Sequence, residues 1–132
     1  MIKFPISLLF VPANRLDWIE KGEATNADAL ILDLEDSIPA NEKKEAREGL
    51  LEYFSNQKPK NPYLIRINPL DSSQGQKDLL FLKKAKNVID NLLALVIPKL
   101  ENLEELSSIP KSFKVVPLIE TPLAVKNLDI LA

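Results

Sequence analysis

An α/β fold on a parallel sheet is what this sequence predicts, and three observations lead there. Five apolar runs recur along the chain, each followed by a stretch whose apolar residues keep helical spacing. The runs are apolar at consecutive rather than alternate positions, as strands covered on both faces require. No glycine-rich phosphate loop follows the first run, since Gly22, Gly49 and Gly75 stand far apart, which disfavours an open dinucleotide-binding sheet. The architecture left is the (β/α)8 TIM barrel. Eight units need about 200 residues or more. A chain of 132 residues therefore holds about five of eight, and a single partial barrel domain over 1–132, lacking its C-terminal units, is expected.

The elements follow in order. "ISLLFVP" (6–12) reads as a buried strand stopped by Pro12. Asn14 can cap a helix that carries Leu16 and Ile19, with Asp17 in its first turn. "ADALILDLE" (27–35) is the second strand. After Pro39 and Asn41, "EKKEAREGLLEYF" places Ala46, Leu50, Tyr53 and Phe54 on one helical face, and its charges read as a wet surface. "YLIRINP" (63–69) is the third strand, and Ser73 with Gln76 has capping-box spacing ahead of "KDLLFLKKAKNVI". "LLALVIPK" (92–99) is the fourth strand, followed by a short helix that Asn102 and Glu105 would cap. "FKVVPLIE" (113–120) is the fifth. Thr121-Pro122 then starts a helix with Ala124, Val125, Leu128 and Leu131 inward. Trp18 and Phe81 read as packing residues, and Glu101, Glu104 and Glu105 as a solvated face.

Composition narrows the chemistry. Apolar residues make up 45% and charged residues 27%, as in an ordinary globular protein, and the formal charge is −2. Lys and Arg are scattered without an aromatic-studded basic stripe, so nucleic acid is not an expected partner. The apolar N-terminal run is too short to span a membrane, and a soluble, cytoplasmic protein is expected. The chain has no cysteine and no histidine. Disulfides, thiolate metal sites and Ser-His or Cys-His nucleophiles are therefore excluded. Any acid–base work falls to Asp, Glu, Lys, Tyr or a water on a metal.

In parallel α/β folds, chemistry collects at the carboxyl ends of the strands. Strand two ends in Asp33, Glu35 and Asp36; strand three carries Arg66 and then Asn68; strand four ends at Lys99 and strand five at Glu120. Plainer roles exist for some of them. An Asp at a strand end can be only a helix cap, and Arg66 can be a structural partner for Asp33 or Glu35. What favours a site is that four of five strands carry such groups at the same end. Excess carboxylate without His or Cys suits a hard divalent cation, and Mg²⁺ usually needs one or two protein carboxylates plus substrate oxygens. Arg66 suits bidentate capture of a substrate carboxylate. Together these groups suit polarisation of a 2-oxo or hydroxy acid.

"SLLFVPANR", "ADALILDLEDSI", "LIRINPLDS", "VIPKLEN" and "VPLIETP", in this order and spacing, resemble the citrate lyase beta-subunit-like proteins within the HpcH/HpaI aldolase and citrate lyase family. The resemblance runs from Ser7 to about Leu131. It implies a (β/α)8 barrel and Mg²⁺-dependent cleavage or formation of a carbon–carbon bond in a hydroxyacyl thioester: citryl, citramalyl or malyl, on coenzyme A or an acyl carrier protein. Arg66 matches the substrate-carboxylate arginine and Glu120 the first metal-binding carboxylate. Glu35 and Asp36 match an acidic pair beside the metal, in a catalytic or supporting role, and Asp33 would orient that cluster. Arg15, Asn68 and Lys99 are expected to contact substrate.

Departures from the family pattern are Ala13 where Val-Pro-Gly is usual and Ile6 where an Arg often precedes the strand-one serine. The second metal-binding Asp is expected after a sixth strand, outside this chain. Two other functions compete with a lyase. One is a non-catalytic half-barrel module that must pair with itself, as a homo-oligomer, or with a companion subunit. The other is a class II aldolase of free 2-oxo acids.

Overall fold

The computed structural model describes residues 5–58 and 60–130, together with the backbone of residue 131. Five parallel strands form one sheet in the order β1-β2-β3-β4-β5: β1 (Leu8–Pro12), β2 (Ala29–Asp33), β3 (Tyr63–Arg66), β4 (Leu92–Ile97) and β5 (Lys114–Pro117). Helices α1 (Leu16–Glu23), α2 (Lys43–Asn56) and α3 (Ser73–Val88) fill the first three connections. A 3₁₀ segment, Leu103–Ser108, fills the fourth, and α4 (Pro122–Lys126) and α5 (Leu128–Leu131) follow β5.

The order decides between the two architectures weighed from sequence. A doubly wound sheet reverses its strand order at a switch point and carries helices on both faces. Here every strand pairs with its predecessor. The buried helix residues Ile19, Ala46, Leu50, Phe54, Phe81, Leu82 and Ala85 share one core with Leu30, Leu32, Tyr63, Ile65, Leu95 and Ile97. The opposite face is a separate cluster of Ala29, Ile31, Leu64, Ala94 and Val96, with no helix residue in it. That is barrel topology, with helices outside and a strand-only interior. Alternation along each strand continues to its end, so Asp33 and Arg66 extend the rows Ala29–Ile31 and Leu64 of the helix-free face. The register sets Asp33 directly opposite Arg66.

Several local expectations change. Helix α1 starts without a side-chain cap at Arg15, and Asn14 does not serve. Ser72, not Ser73, caps α3 by accepting from Gly75 N at 3.0 Å. Gly75 is required there because a Cβ would meet Pro69 O at 2.0 Å. The charged start of α2 is not all wet: Lys43 and Arg47 are buried with Ala46, Leu50 and Phe54. Trp18 is part-exposed and lies under the Arg15 guanidinium, 4.1 Å from ring centroid to Cζ. Glu101 is not simply solvated, since its Oε2 accepts from Thr121 Oγ1 at 2.9 Å. Of the inward residues expected in the last helix, Ala124 is buried while Val125 and Leu128 are exposed; the side chain of Leu131 lies outside the described residues. Among the described residues, no helix is long and apolar enough to cross a membrane.

Candidate functional site at the strand ends

The ladder continues past the strands and brings their carboxyl ends together. Ala13 N donates to Asp33 O, Leu34 N to Arg66 O, Ile67 N to Val96 O and Leu118 N to Ile97 O. On this rim Asp33 grips Arg66 with both oxygens, at 2.8 Å to Nε and 2.7 Å to NH2. The same two oxygens accept from Glu35 N at 2.9 Å and Ser37 N at 3.1 Å. Burial pushes the Asp33 carboxyl upward, but hydrogen bonds from Arg66, Ser37 and Glu35 outweigh it and hold the group below the usual range. The hydrogen bond that Arg66 donates to Asp33 leads in raising the Arg66 pKa. Asp33 uses the Nε–NH2 edge of the guanidinium, and the Phe10 ring lies 4.7 Å from its Cζ. Among the described residues the NH1 corner carries no hydrogen bond.

Glu35 differs from Asp33 in one decisive respect. It is 6% exposed, yet neither carboxylate oxygen has a hydrogen-bond partner. Two cations stand nearby, Lys99 Nζ at 3.5 Å and Arg66 Nε at 3.8 Å. Burial still dominates and, with repulsion from Asp36 and then Glu120, raises the Glu35 carboxyl against the pull of Lys99 and Arg66. A buried acid without donors is costly unless something completes it. Asp36 points outward, 69% exposed in its side chain and 4.0 Å from Arg66 NH2.

Lys99 connects two of these groups. Its backbone is left-handed at φ 53°, the only positive-φ non-glycine among the described residues. That conformation costs about 1–2 kcal/mol for a side chain with a Cβ. It lets Lys99 N donate to Glu120 Oε1 at 2.9 Å while the ammonium reaches Glu35. Strain of this kind gathers at functional sites.

The structure thus brings Asp33, Glu35, Asp36, Arg66, Lys99 and Glu120 to one rim. Asn68 lies beneath them with both side-chain N–H groups and its oxygen engaged: Oδ1 accepts from Lys43 Nζ at 2.6 Å, and Nδ2 donates to Leu34 O at 3.0 Å and Asp78 Oδ2 at 2.7 Å. Its contacts hold the turn, where the sequence suggested contact with a ligand. Arg15 stays outside the cluster, paired with exposed Asp17 at 3.1 Å. Three members of the support went unrecognised in sequence: Lys43, Arg47 and Asp78, the last two paired at 2.8 Å. A signal existed. Positions 43, 46, 47, 50 and 54 make one helical face, and Asp78 sits in the buried stripe of Gly75, Leu82 and Ala85.

The donor set can be tested against a divalent cation. Among the described residues no group of three or more Asp or Glu is arranged to hold a metal. Mg²⁺ asks less, since it keeps waters and takes one or two carboxylates. The exposed Glu120 carboxylate, with the donor-less oxygens of Glu35 behind it, fits that requirement for an oxygen-ligated ion.

Known proteins resemble this chain in sequence and fold. A (3S)-malyl-CoA thioesterase of Cereibacter sphaeroides is 27% identical over 125 residues, covering 92% of this chain and 42% of that protein. An L-malyl-CoA/beta-methylmalyl-CoA lyase of the same species is 36% identical over 92 residues, 69% of this chain and 28% of the lyase. A solved structure of protein CitE from Mycobacterium tuberculosis, in complex with magnesium, acetoacetate and coenzyme A, superposes with a TM-score of 0.74 at 29% identity, covering 90% of this chain and 41% of that one. The chain spans less than half the length of each of these proteins. Residues 6–132 match the pattern of the family described as HpcH/HpaI aldolase/citrate lyase, and with the barrel order and the strand-end cluster above, the chain belongs to that family.

Proposed function

We propose that this chain supplies the first five units of a Mg²⁺-dependent carbon–carbon lyase acting on a hydroxyacyl-CoA thioester of the malyl or citramalyl type. The observation that carries this reading is Glu35, a buried carboxylate with two donor-less oxygens between Arg66 and Lys99 at the strand ends. Such a group needs a proton, a cation or a substrate hydroxyl to complete it. The relatives support the substrate class, being a malyl-CoA thioesterase and a malyl-CoA lyase.

In this reading Arg66, rigidly held by Asp33, receives the substrate carboxylate on its open NH1 corner, and the fork fixes the orientation. Glu35 takes the proton of the substrate hydroxyl. As that proton leaves, the oxygen's electron pair forms the new carbonyl and the adjacent carbon–carbon bond breaks. Its electrons pass to the thioester as an enolate, and a 2-oxo acid departs. Lys99 balances the charge beside Glu35, and Asp36 offers a wet acidic path for returning a proton to the enolate carbon. Mg²⁺, held by Glu120 and by a second carboxylate outside this chain, would polarise substrate oxygens and stabilise negative charge.

The test is purified protein with Mg²⁺ against malyl-, citramalyl- and citryl-CoA, with the free acids as controls. A lyase yields a 2-oxo acid and an acyl-CoA without free thiol. Free thiol without a 2-oxo acid would mean thioester hydrolysis and refute the lyase assignment. Calorimetric Mg²⁺ titration should show weaker binding in Glu120→Ala, and equal binding would remove Glu120 as a ligand.

A second reading has its own observation. Apolar side chains are exposed at both ends of the sheet: Leu8 and Phe10 on β1, and Leu123, Val125 and Ile130 after β5. An open β-edge flanked by apolar surface invites pairing. In this reading the five-unit chain associates with itself or with a companion subunit before it works. Light scattering on this chain alone tests it, and a stable monomer counts against it.

A further inference from the structure

The turn that presents Glu35 is tied down from below by a lysine that the proposed chemistry does not use. Lys43, at the start of α2, is 8% exposed. Its ammonium donates to Leu34 O at 2.8 Å, Glu35 O at 2.8 Å and Asn68 Oδ1 at 2.6 Å. An ammonium has three N–H bonds, so the set is complete. Burial lowers the Lys43 pKa, while Asp78, Asp33, Glu35 and Asp36 act the other way through space. A buried cation with no carboxylate directly on it is an expensive way to fill a core position, where an apolar residue would pack more cheaply.

Its cost has a geometric return at the turn. The Glu35 carboxylate makes no hydrogen bond of its own, so apart from the pull of Lys99 and Arg66 its direction is set by its backbone. That backbone is held through Glu35 N on Asp33 Oδ1 and through Glu35 O, which accepts from Lys43 Nζ at 2.8 Å and more weakly from Ile38 N at 3.4 Å. Behind Lys43 the support continues without a gap. Asp78 Oδ2 accepts from both Asn68 N and Nδ2 at 2.7 Å, and Asp78 Oδ1 accepts from Arg47 NH1 at 2.8 Å. Helices α2 and α3 are thereby locked to the ends of β2 and β3.

We propose that Lys43 is a positioning residue: by drawing two successive carbonyls, of Leu34 and Glu35, onto one ammonium, it aims the Glu35 carboxylate into the space between Arg66 and Lys99. The proposal rests on the reading of Glu35 as the proton-handling group.

The test compares the full-length protein with Lys43→Met, Lys43→Arg and, as control, Lys44→Met, whose lysine is exposed and only 4.0 Å from Glu48. Three readouts are taken: kcat and KM with Mg²⁺ and a hydroxyacyl-CoA, amide hydrogen exchange of residues 34–38, and Tm. Both Lys43 variants should lose roughly 100-fold in kcat with KM changed less than about threefold, as for a misaimed group of about 1 Å. Amides of residues 34–38 should exchange roughly tenfold faster while those of α3 keep their protection. Arg should not rescue, because its planar fork cannot bring three N–H groups to one point. The control should match wild type.

Wild-type kcat in either Lys43 variant would overturn the proposal. So would rescue by Arg, which would make the role one of charge, or a loss that merely tracks Tm with uniformly faster exchange. If Lys43→Met does not fold, Lys43→Arg decides by the same readouts; if neither folds, Lys43 is a stability residue and the proposal is lost. Absence of turnover in wild type would instead refute the lyase reading, and the exchange comparison would still decide whether Lys43 holds the turn.

Discussion

Replacing Asp33 by Asn should cost about 3 kcal/mol of stability at neutral pH. In the structure Asp33 accepts four hydrogen bonds, two from Arg66 and one each from Glu35 N and Ser37 N. The amide keeps one oxygen and turns an NH2 toward two donors, so one bond to Arg66 and one backbone bond are lost. A hydrogen bond to a charged group contributes about 1.5–3 kcal/mol and an ordinary one about 1. Removing one partner of a buried ion pair typically costs about 3–5 kcal/mol. The lower end applies because Glu35 and Asp36 remain within 3.8 and 4.0 Å of Arg66. At about 2.1 cal/mol/K of unfolding entropy per residue, 3 kcal/mol corresponds to roughly 11 °C in Tm for a chain of 132 residues.

Urea unfolding followed by Trp18, the sole tryptophan, measures the difference. Its pH dependence provides a second check. Asp33 has a folded pKa below its unfolded value, so its contribution is present above the unfolded pKa and is lost as pH falls through the folded one. The gap between wild type and Asp33→Asn should therefore close in acid. A variant within about 0.5 kcal/mol of wild type at neutral pH, at unchanged m-value, would refute the argument that this pair is structural. So would a gap that stays constant down to the lowest pH at which the protein folds.

Two further outcomes follow from backbone geometry. Gly75→Ala should destabilise by about 3 kcal/mol by calorimetry, because its Cβ would lie 2.0 Å from Pro69 O, a backbone atom that cannot swing aside; a loss below about 1 kcal/mol would show that the α3 entry relaxes freely. Lys99→Gly should gain about 1 kcal/mol by relieving φ 53°, while turnover falls because the ammonium beside Glu35 is gone. A stability gain without loss of turnover would remove Lys99 from the site.

The strand–helix alternation and the helix face of Ala46, Leu50 and Phe54 are written in local periodicity, and local periodicity survives in the fold. The same reasoning located the strand-end carboxylates, because four of five strands carry a charged or hydrogen-bonding group at the same end. It misjudged Lys43 and Arg47, for a charge reads as surface until a buried acceptor is known, and their acceptors lie 8, 9, 25, 27 and 31 residues away. It also placed Val125 and Leu128 inward, where both are exposed while Ala124 is buried.

By itself, then, the sequence determined the strand–helix elements and the end of the sheet where chemistry gathers, since each depends on neighbours a few positions apart, while the strand order that makes a barrel rather than a doubly wound sheet came from the tertiary structure. Only the tertiary structure decided that Asp33 rather than Glu35 takes Arg66, that Glu35 is left without a donor, and that Asn68 serves the core. Those outcomes depend on strand register, which sets Asp33 opposite Arg66 across 33 residues. One residue of slip in either strand would turn its side chain to the helix face and separate the pair.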